Sequence, residues 1–121
     1  MTPSPQQRLI ESMVYIGAPE SIVKCIVALD LHGPLSSKKI QDTCNLRQPE
    51  VSLTIKNLSE RGMVKINVPV TKGRGRPSHR YELNNPIQEC LEGYIAEAKE
   101  REKQIRSHIE ITERILDDLL R

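Results

Sequence analysis

A mainly helical fold with one small β-hairpin, closed by a long terminal helix, is predicted by three observations in this sequence of 121 residues. Apolar residues recur at helical spacing through residues 6–60, the spacing changes to two between residues 64 and 83, and beyond residue 86 a 3-4 alternation runs unbroken to the end. A chain of this size makes one domain of roughly 100–200 residues with at most a short appendage. The change of pattern puts the domain at 1–85 and the appended helix at 86–121.

Leu9, Ile10, Met13, Val14 and Ile16 mark a first helix from Gln6, and Gly17 stops it. Pro19 opens a second, whose broad apolar face holds Ile22, Val23, Ile26, Val27 and Leu29; His32-Gly33-Pro34 closes it. Ser36 or Ser37 caps a short third helix with Ile40 inward, and Cys44-Asn45-Leu46 is a tight turn. A fourth helix carries Pro49 in its first turn, where a missing N–H leaves nothing unpaired. Val51, Ile55 and Leu58 share one face of it. At about 100° per residue the opposite face carries Pro49, Leu53, Lys56, Asn57 and Glu60, with Ser52 at its edge, and Gly62 is the stop.

Val64, Ile66, Val68 and Val70 then alternate with Lys65, Asn67 and Pro69, the pattern of a strand with one buried face. Residues 71–78 form a Gly-rich turn, and His79 to Leu83 alternate again with Tyr81 and Leu83 toward the core. The hairpin is therefore two-stranded with a long basic tip. Asn85-Pro86 predicts an Asn cap followed by Pro at the first helical position. Along the last helix the repeating positions are Gln88, Leu91, Ile95, Ala98, Glu102, Ile105, Ile109, Thr112, Leu116 and Leu119, a coiled-coil-like seam. At ~1.5 Å per residue such a helix is about 50 Å long, more than a core this small can cover. The expected partner is a second copy of the chain. Its interface would hold Leu91, Ile95, Ala98, Ile105, Ile109, Leu116 and Leu119, with the polar Glu102 and Thr112 setting the register.

A net charge of +2 hides a segregation. Residues 34–86 hold ten bases against four acids, whereas residues 87–121 hold six against nine. The middle of the chain is thus suited to a polyanion and the terminal helix is not. Other classes fall away. No apolar stretch is long enough to span a membrane, and the first residues lack the layout of a secretory signal, so a cytoplasmic location is expected. The absence of Phe and Trp argues against a stacking platform for single-stranded nucleic acid. Cys25, Cys44 and Cys90 are odd in number and far apart, which reads as reduced thiols, with neither a disulfide framework nor a zinc site. His32, His79 and His108 are isolated from acids at ligand spacing, and Gly73-x-Gly75 opens no helix, so neither metal nor cofactor is expected. No arrangement of nucleophile and base, or of paired carboxylates, suggests an enzyme.

Three helices, the last two joined by a tight turn, followed by a hairpin with a basic tip, give the order of a winged helix-turn-helix. In that arrangement the exposed face of the second helix of the turn motif enters a major groove. The base-reading set is then Arg47, Gln48, Glu50, Ser52, Leu53, Lys56 and Asn57. Ser36, Ser37, Lys38 and Lys39 are expected to meet phosphates. Lys72, Arg74, Gly75, Arg76, Pro77, His79 and Arg80 make the wing contact.

The stretch from Leu46 to Val64 resembles the recognition helix and exit strand of winged-helix transcription regulators of the MarR, ArsR and TrmB-like groups. Gly73-Arg-Gly-Arg-Pro-Ser-His-Arg-Tyr-Glu-Leu83 resembles the wing of archaeal members. The resemblance covers residues 20–83 and implies a homodimeric regulator of transcription that binds double-stranded DNA, with the transcription machinery as a further partner. Leu53 stands where such helices often carry a polar or basic residue, and it can touch a thymine methyl. Arg74-Gly75-Arg76-Pro77 also resembles the core of an AT-hook, in which Gly lets an extended backbone sink into a narrow minor groove between Arg side chains. A loop that only touches phosphates is the alternative for these residues. For the whole chain the alternatives are a winged helix used as a protein-docking module and an architectural protein that coats DNA without sequence preference.

Overall fold

A computed structural model describes residues 2–67 and 79–121. Its elements are α1 (Pro5–Tyr15), α2 (Glu20–His32), β1 (Leu35–Ser36), α3 (Ser37–Cys44), α4 (Gln48–Glu60), β2 (Val64–Asn67), β3 (Arg80–Leu83) and α5 (Ile87–Leu119). The order is that of a winged helix, and α5 extends from it as one uninterrupted helix of 33 residues.

The ends of α1 and α3 have identifiable causes. Ser4 caps α1 by accepting a hydrogen bond from the Gln7 amide at 3.1 Å, and Pro5 occupies the first turn without forfeiting a bond. Beyond α1 the chain turns at Gly17 with φ +108°, a conformation other residues rarely adopt. Arg101 of α5 reaches this turn and donates to the Ile16 carbonyl, covering an orphan acceptor at the end of α1. Ser36 caps α3 through a bond from the Lys39 amide at 3.2 Å, and Asn45 in the left-handed region ends it. The pair α3–α4 is thus closed by a two-residue turn after Asn45, the tight connection of a helix-turn-helix.

The core lies around α2, whose Val23, Cys25 and Ile26 have no exposed surface. Ile40 from α3, Val51 and Leu58 from α4, Met13 from α1 and Val64 from β2 close over it. Five of the expected α2 positions (Ile22, Val23, Ile26, Val27 and Leu29) are buried, joined by Cys25 and Ala28.

Four expectations change. The hairpin is joined by a third strand: β1 pairs antiparallel with β3, giving the order β1-β3-β2 with Ser36 and Asn67 on either side of Arg80. Ile66 is exposed, because β2 leaves the core after Val64 and no described residue packs over it. Pro86, with extended backbone, takes the N-cap position of α5 in place of Asn85. Leu91, assigned above to an interface between copies, is buried in the core of its own chain together with Cys90 and Tyr94. The first two turns of α5 thus close the winged domain, and its apolar seam emerges only from Ile95 onward. The expected strand residues Val68 and Val70 lie outside the described residues.

Candidate nucleic-acid interface

The face of α4 turned away from the core is built by what holds the helix from behind. Val51, Ile55 and Leu58 pack inward, and Thr54, also buried, donates from its hydroxyl to the Glu50 carbonyl at 2.7 Å. That inward bond allows a polar residue to join the apolar face without an unmatched donor. Ser52, Leu53 and Lys56 are left exposed, with Leu53 retaining 70% of its surface in solvent. Gln48 lies one turn before Ser52 and donates to its hydroxyl at 3.1 Å, so the two share one polar spot at the start of the helix.

Two assigned residues of this face differ from the rest. Glu50 accepts a hydrogen bond from the Arg47 amide at 3.3 Å, which fastens the helix start and places an acid at the positive end of the helix dipole. Asn57 is only half exposed, and its Oδ1 is shielded with no hydrogen-bond partner among the described residues. The cause is Thr54: its burial widens the packed face toward Asn57, moving that side chain to the flank of the exposed one. The predicted centre of the reading face therefore narrows to Ser52, Leu53 and Lys56, with Arg47 and Gln48 exposed at its start.

Beside this face, Lys38 and Lys39 project from the first turn of α3 into solvent, while Ser36 and Ser37 are half-buried. Lys38 makes an exposed ion pair with Asp42 at 3.3 Å, an interaction weak enough for a phosphate to displace. The strand β1, too short to be read from pattern alone, brings Ser36 opposite Arg80 in the sheet. This register unites two groups that the sequence left separate, the start of α3 and the base of the hairpin. His79 and Arg80 are both exposed there. The remaining assigned wing residues, Lys72, Arg74, Gly75, Arg76 and Pro77, lie outside the described residues.

The thiols sit apart from this surface. Burial pushes Cys25 up to about 12, with the neighbouring Cys44 adding to the shift. Burial likewise raises Cys44, against the opposing charge of Lys24, and Cys90, where Glu89 and Asp30 add to it. All three are therefore protonated, poorly nucleophilic groups at neutral pH. Among the described residues no cluster of His, Cys, Asp or Glu is arranged to hold a metal ion, and no helix is long and apolar enough to cross a membrane.

Beyond the Arg101 contact with Ile16, the outer half of α5 is exposed along its length among the described residues. Ile105, Ile109, Leu116 and Leu119 are exposed along one side, flanked by Ile115 and Leu120, while the exposed Ile111 lies round toward the other side. At its inner end the side leads into a groove of about 430 Å³ whose lining includes Tyr15, Ile16, Ile95, Ala98 and Ile105.

No protein-family model and no curated protein matches the sequence. Solved structures do match its fold. NMB1585, a MarR family regulator from Neisseria meningitidis, superposes with a TM-score of 0.51 at 16% identity, over 88% of this chain and 70% of its own. MepR, a transcription regulator of the Staphylococcus aureus multidrug efflux pump MepA, gives 0.54 at 17% identity, over 94% and 84%. A transcriptional regulator homologue from Pyrococcus horikoshii gives 0.54 at 16% identity, over 84% of this chain and 98% of its own. At such identities the likeness is one of fold: the chain has a MarR-like winged-helix fold with a long C-terminal helix.

Proposed function

We propose that this chain is a cytoplasmic, homodimeric transcription regulator that binds double-stranded DNA sequence-specifically. The observation that carries the reading is the exposed face of α4, where Ser52, Leu53 and Lys56 stand clear of a helix packed from behind by Val51, Thr54, Ile55 and Leu58. A helix presented in this way fits a major groove and reads base edges from its exposed side chains. Ser36, Ser37, Lys38, Lys39 and Arg80 take the phosphates beside it, and fix register without reading sequence. The Lys72–Arg80 segment is the wing, with Arg74 and Arg76 entering the minor groove or lying along it. No catalytic group is invoked.

The homodimer reading is supported by the outer half of α5, whose apolar side is exposed among the described residues. Pairing two copies through Ile95, Ala98, Ile105, Ile109, Leu116 and Leu119 removes the exposed side from water and presents two α4 helices to one duplex. Two-fold symmetry then favours a pseudo-palindromic site with half-sites about 34 Å apart. The acidic balance of this segment keeps it off the DNA. The relatives of like fold are transcription regulators by name, which supports the same reading.

The test is selection of bound fragments from a genomic duplex library, read by sequencing. A palindromic motif with A·T-rich flanks is the expected result. Tight, strongly salt-dependent binding without a motif would instead make the protein architectural. Negligible binding would make the α4 face a docking surface for a protein of the transcription machinery.

A further inference from the structure

The exit of α4 is clamped to α5. Arg61 is the C-cap of α4, Gly62 at φ +73° reverses the chain, and the Met63 amide returns to the Leu58 carbonyl at 2.9 Å. Three hydrogen bonds then tie this exit to the residue after β3 and to α5. The Asn84 amide donates to the Met63 carbonyl at 2.8 Å, and its side-chain Nδ2 donates to the Gly62 carbonyl at 2.9 Å. Arg61 Nη1 donates to the Tyr94 hydroxyl at 2.6 Å.

The first two bonds are local, holding the end of β3 against the turn after α4. The third is different in kind. Tyr94 is set into the core two turns into α5, so its ring is held by the packing around it. The Arg61 guanidinium lies 5.0 Å from the centre of that ring while its N–H meets the hydroxyl. One side chain at the end of α4 is thus fixed on both the face and the edge of an anchor in α5. The outer half of the same α5 carries the apolar side assigned above to the second copy.

We propose that Arg61 and Tyr94 are a positioning pair that fixes α4 at one angle to α5 and thereby sets the half-site separation the homodimer accepts. The inference rests on the DNA-reading homodimer of the preceding section. In a two-fold assembly joined through α5, the distance between the two α4 helices follows from the angle each makes with its own α5. One base pair advances the duplex by about 3.4 Å and turns it by about 35°, so the junction between α4 and α5 must yield in both before a neighbouring spacing is accepted. A stiff junction selects one separation, and a loose one accepts several.

The test uses the full chain and duplexes in which the selected half-sites are moved apart or together one base pair at a time. Wild type should prefer one separation over its neighbours by about tenfold or more. Tyr94→Phe keeps the ring and removes the hydroxyl; Arg61→Met keeps the stem and removes the charge. Both should flatten the spacing preference to about threefold or less, with unchanged dimer mass and unchanged affinity for a duplex holding one half-site. Spacing profiles identical to wild type in both variants would overturn the proposal. So would an equal loss at every separation and on the single half-site, which marks a purely structural contact. Wild type that binds half-sites specifically without preferring any separation overturns the positioning role and leaves the DNA-binding reading standing. Wild type with no specific binding overturns that reading itself.

Discussion

Replacing Ile109 by Asp puts the proposed assembly to its most direct test. Ile105, Ile109, Leu116 and Leu119 keep 60%, 51%, 53% and 75% of their surface exposed in the single chain. Fully burying such a side chain is worth about 1.5–3 kcal/mol, so covering what remains exposed contributes roughly 1–2 kcal/mol at each position. Symmetry counts every position twice, giving a gross gain on the order of 10 kcal/mol. That is comparable to the ~4–15 kcal/mol cost of bringing two molecules together, so the flanking Ile115 and Leu120 are needed for a tight dimer. Ile109→Asp removes about 1 kcal/mol of apolar burial per copy and places an unpaired carboxylate in a drying interface, at a cost of several kcal/mol per ion. The total exceeds about 5 kcal/mol for the pair, a dimer weakened more than a thousandfold at ~1.4 kcal/mol per decade. Sedimentation equilibrium should show a dimeric wild type and a monomeric variant. The helical signal of the winged domain should persist, since Cys90, Leu91 and Tyr94 are untouched. Ser107→Asp, on the opposite side of α5, should leave the mass unchanged. A variant as dimeric as wild type, or a wild type that is monomeric at every concentration, would refute the assignment of this side.

Three further outcomes follow from other parts of the chain. Arg74→Ala with Arg76→Ala should weaken binding to sites with A·T flanks more than to sites with G·C flanks in competition assays; equal losses would leave these residues a phosphate role. Gly17→Ala should lower the urea midpoint by the equivalent of about 1–3 kcal/mol, because φ +108° strains any side chain and the new methyl meets the Arg101 guanidinium. A neutral result would disprove the strained turn. For Cys25, folded and unfolded chains both keep the thiol proton below its ordinary value of 9.0, so the group contributes no pH dependence there. Above 9.0 the unfolded thiol ionises while the folded one holds its proton to about 12, so stability falls as pH rises through this window. The loss approaches about 4 kcal/mol at ~1.4 kcal/mol per pKa unit, and Cys25→Ala should flatten that limb of the urea-midpoint curve.

The helices could be read from the sequence because their signals are local: Gly17, Pro19, Ser36 and Gly62 act within a turn of where they stand. What escaped depends on distant partners. Leu35 and Ser36 form a strand only because β3 comes back beside them, and two residues hold too little alternation to announce it. Ile66 has the right period for a buried position, but the period cannot tell where the sheet leaves the core. Leu91 and Ile109 fall on the same side of α5, and spacing alone cannot show that the first is covered by its own domain and the second is not. The centre of the α4 face was readable from angle alone. Its flank was not, since the place of Asn57 depends on a buried threonine whose hydroxyl is satisfied within the helix.

Ser36 has a role in two structures at once, as the last residue of β1 and the cap of α3, with no spacer between them. Nothing at this junction can absorb slack. An added residue there would throw out of step either the pairing with Arg80 or the bond to the Lys39 amide, so this junction should resist insertions that surface loops accept. Sheet and helix start should also open together as one cooperative unit. The Lys39 amide would then exchange its proton in concert with the amides of β3, although it lies in a different element.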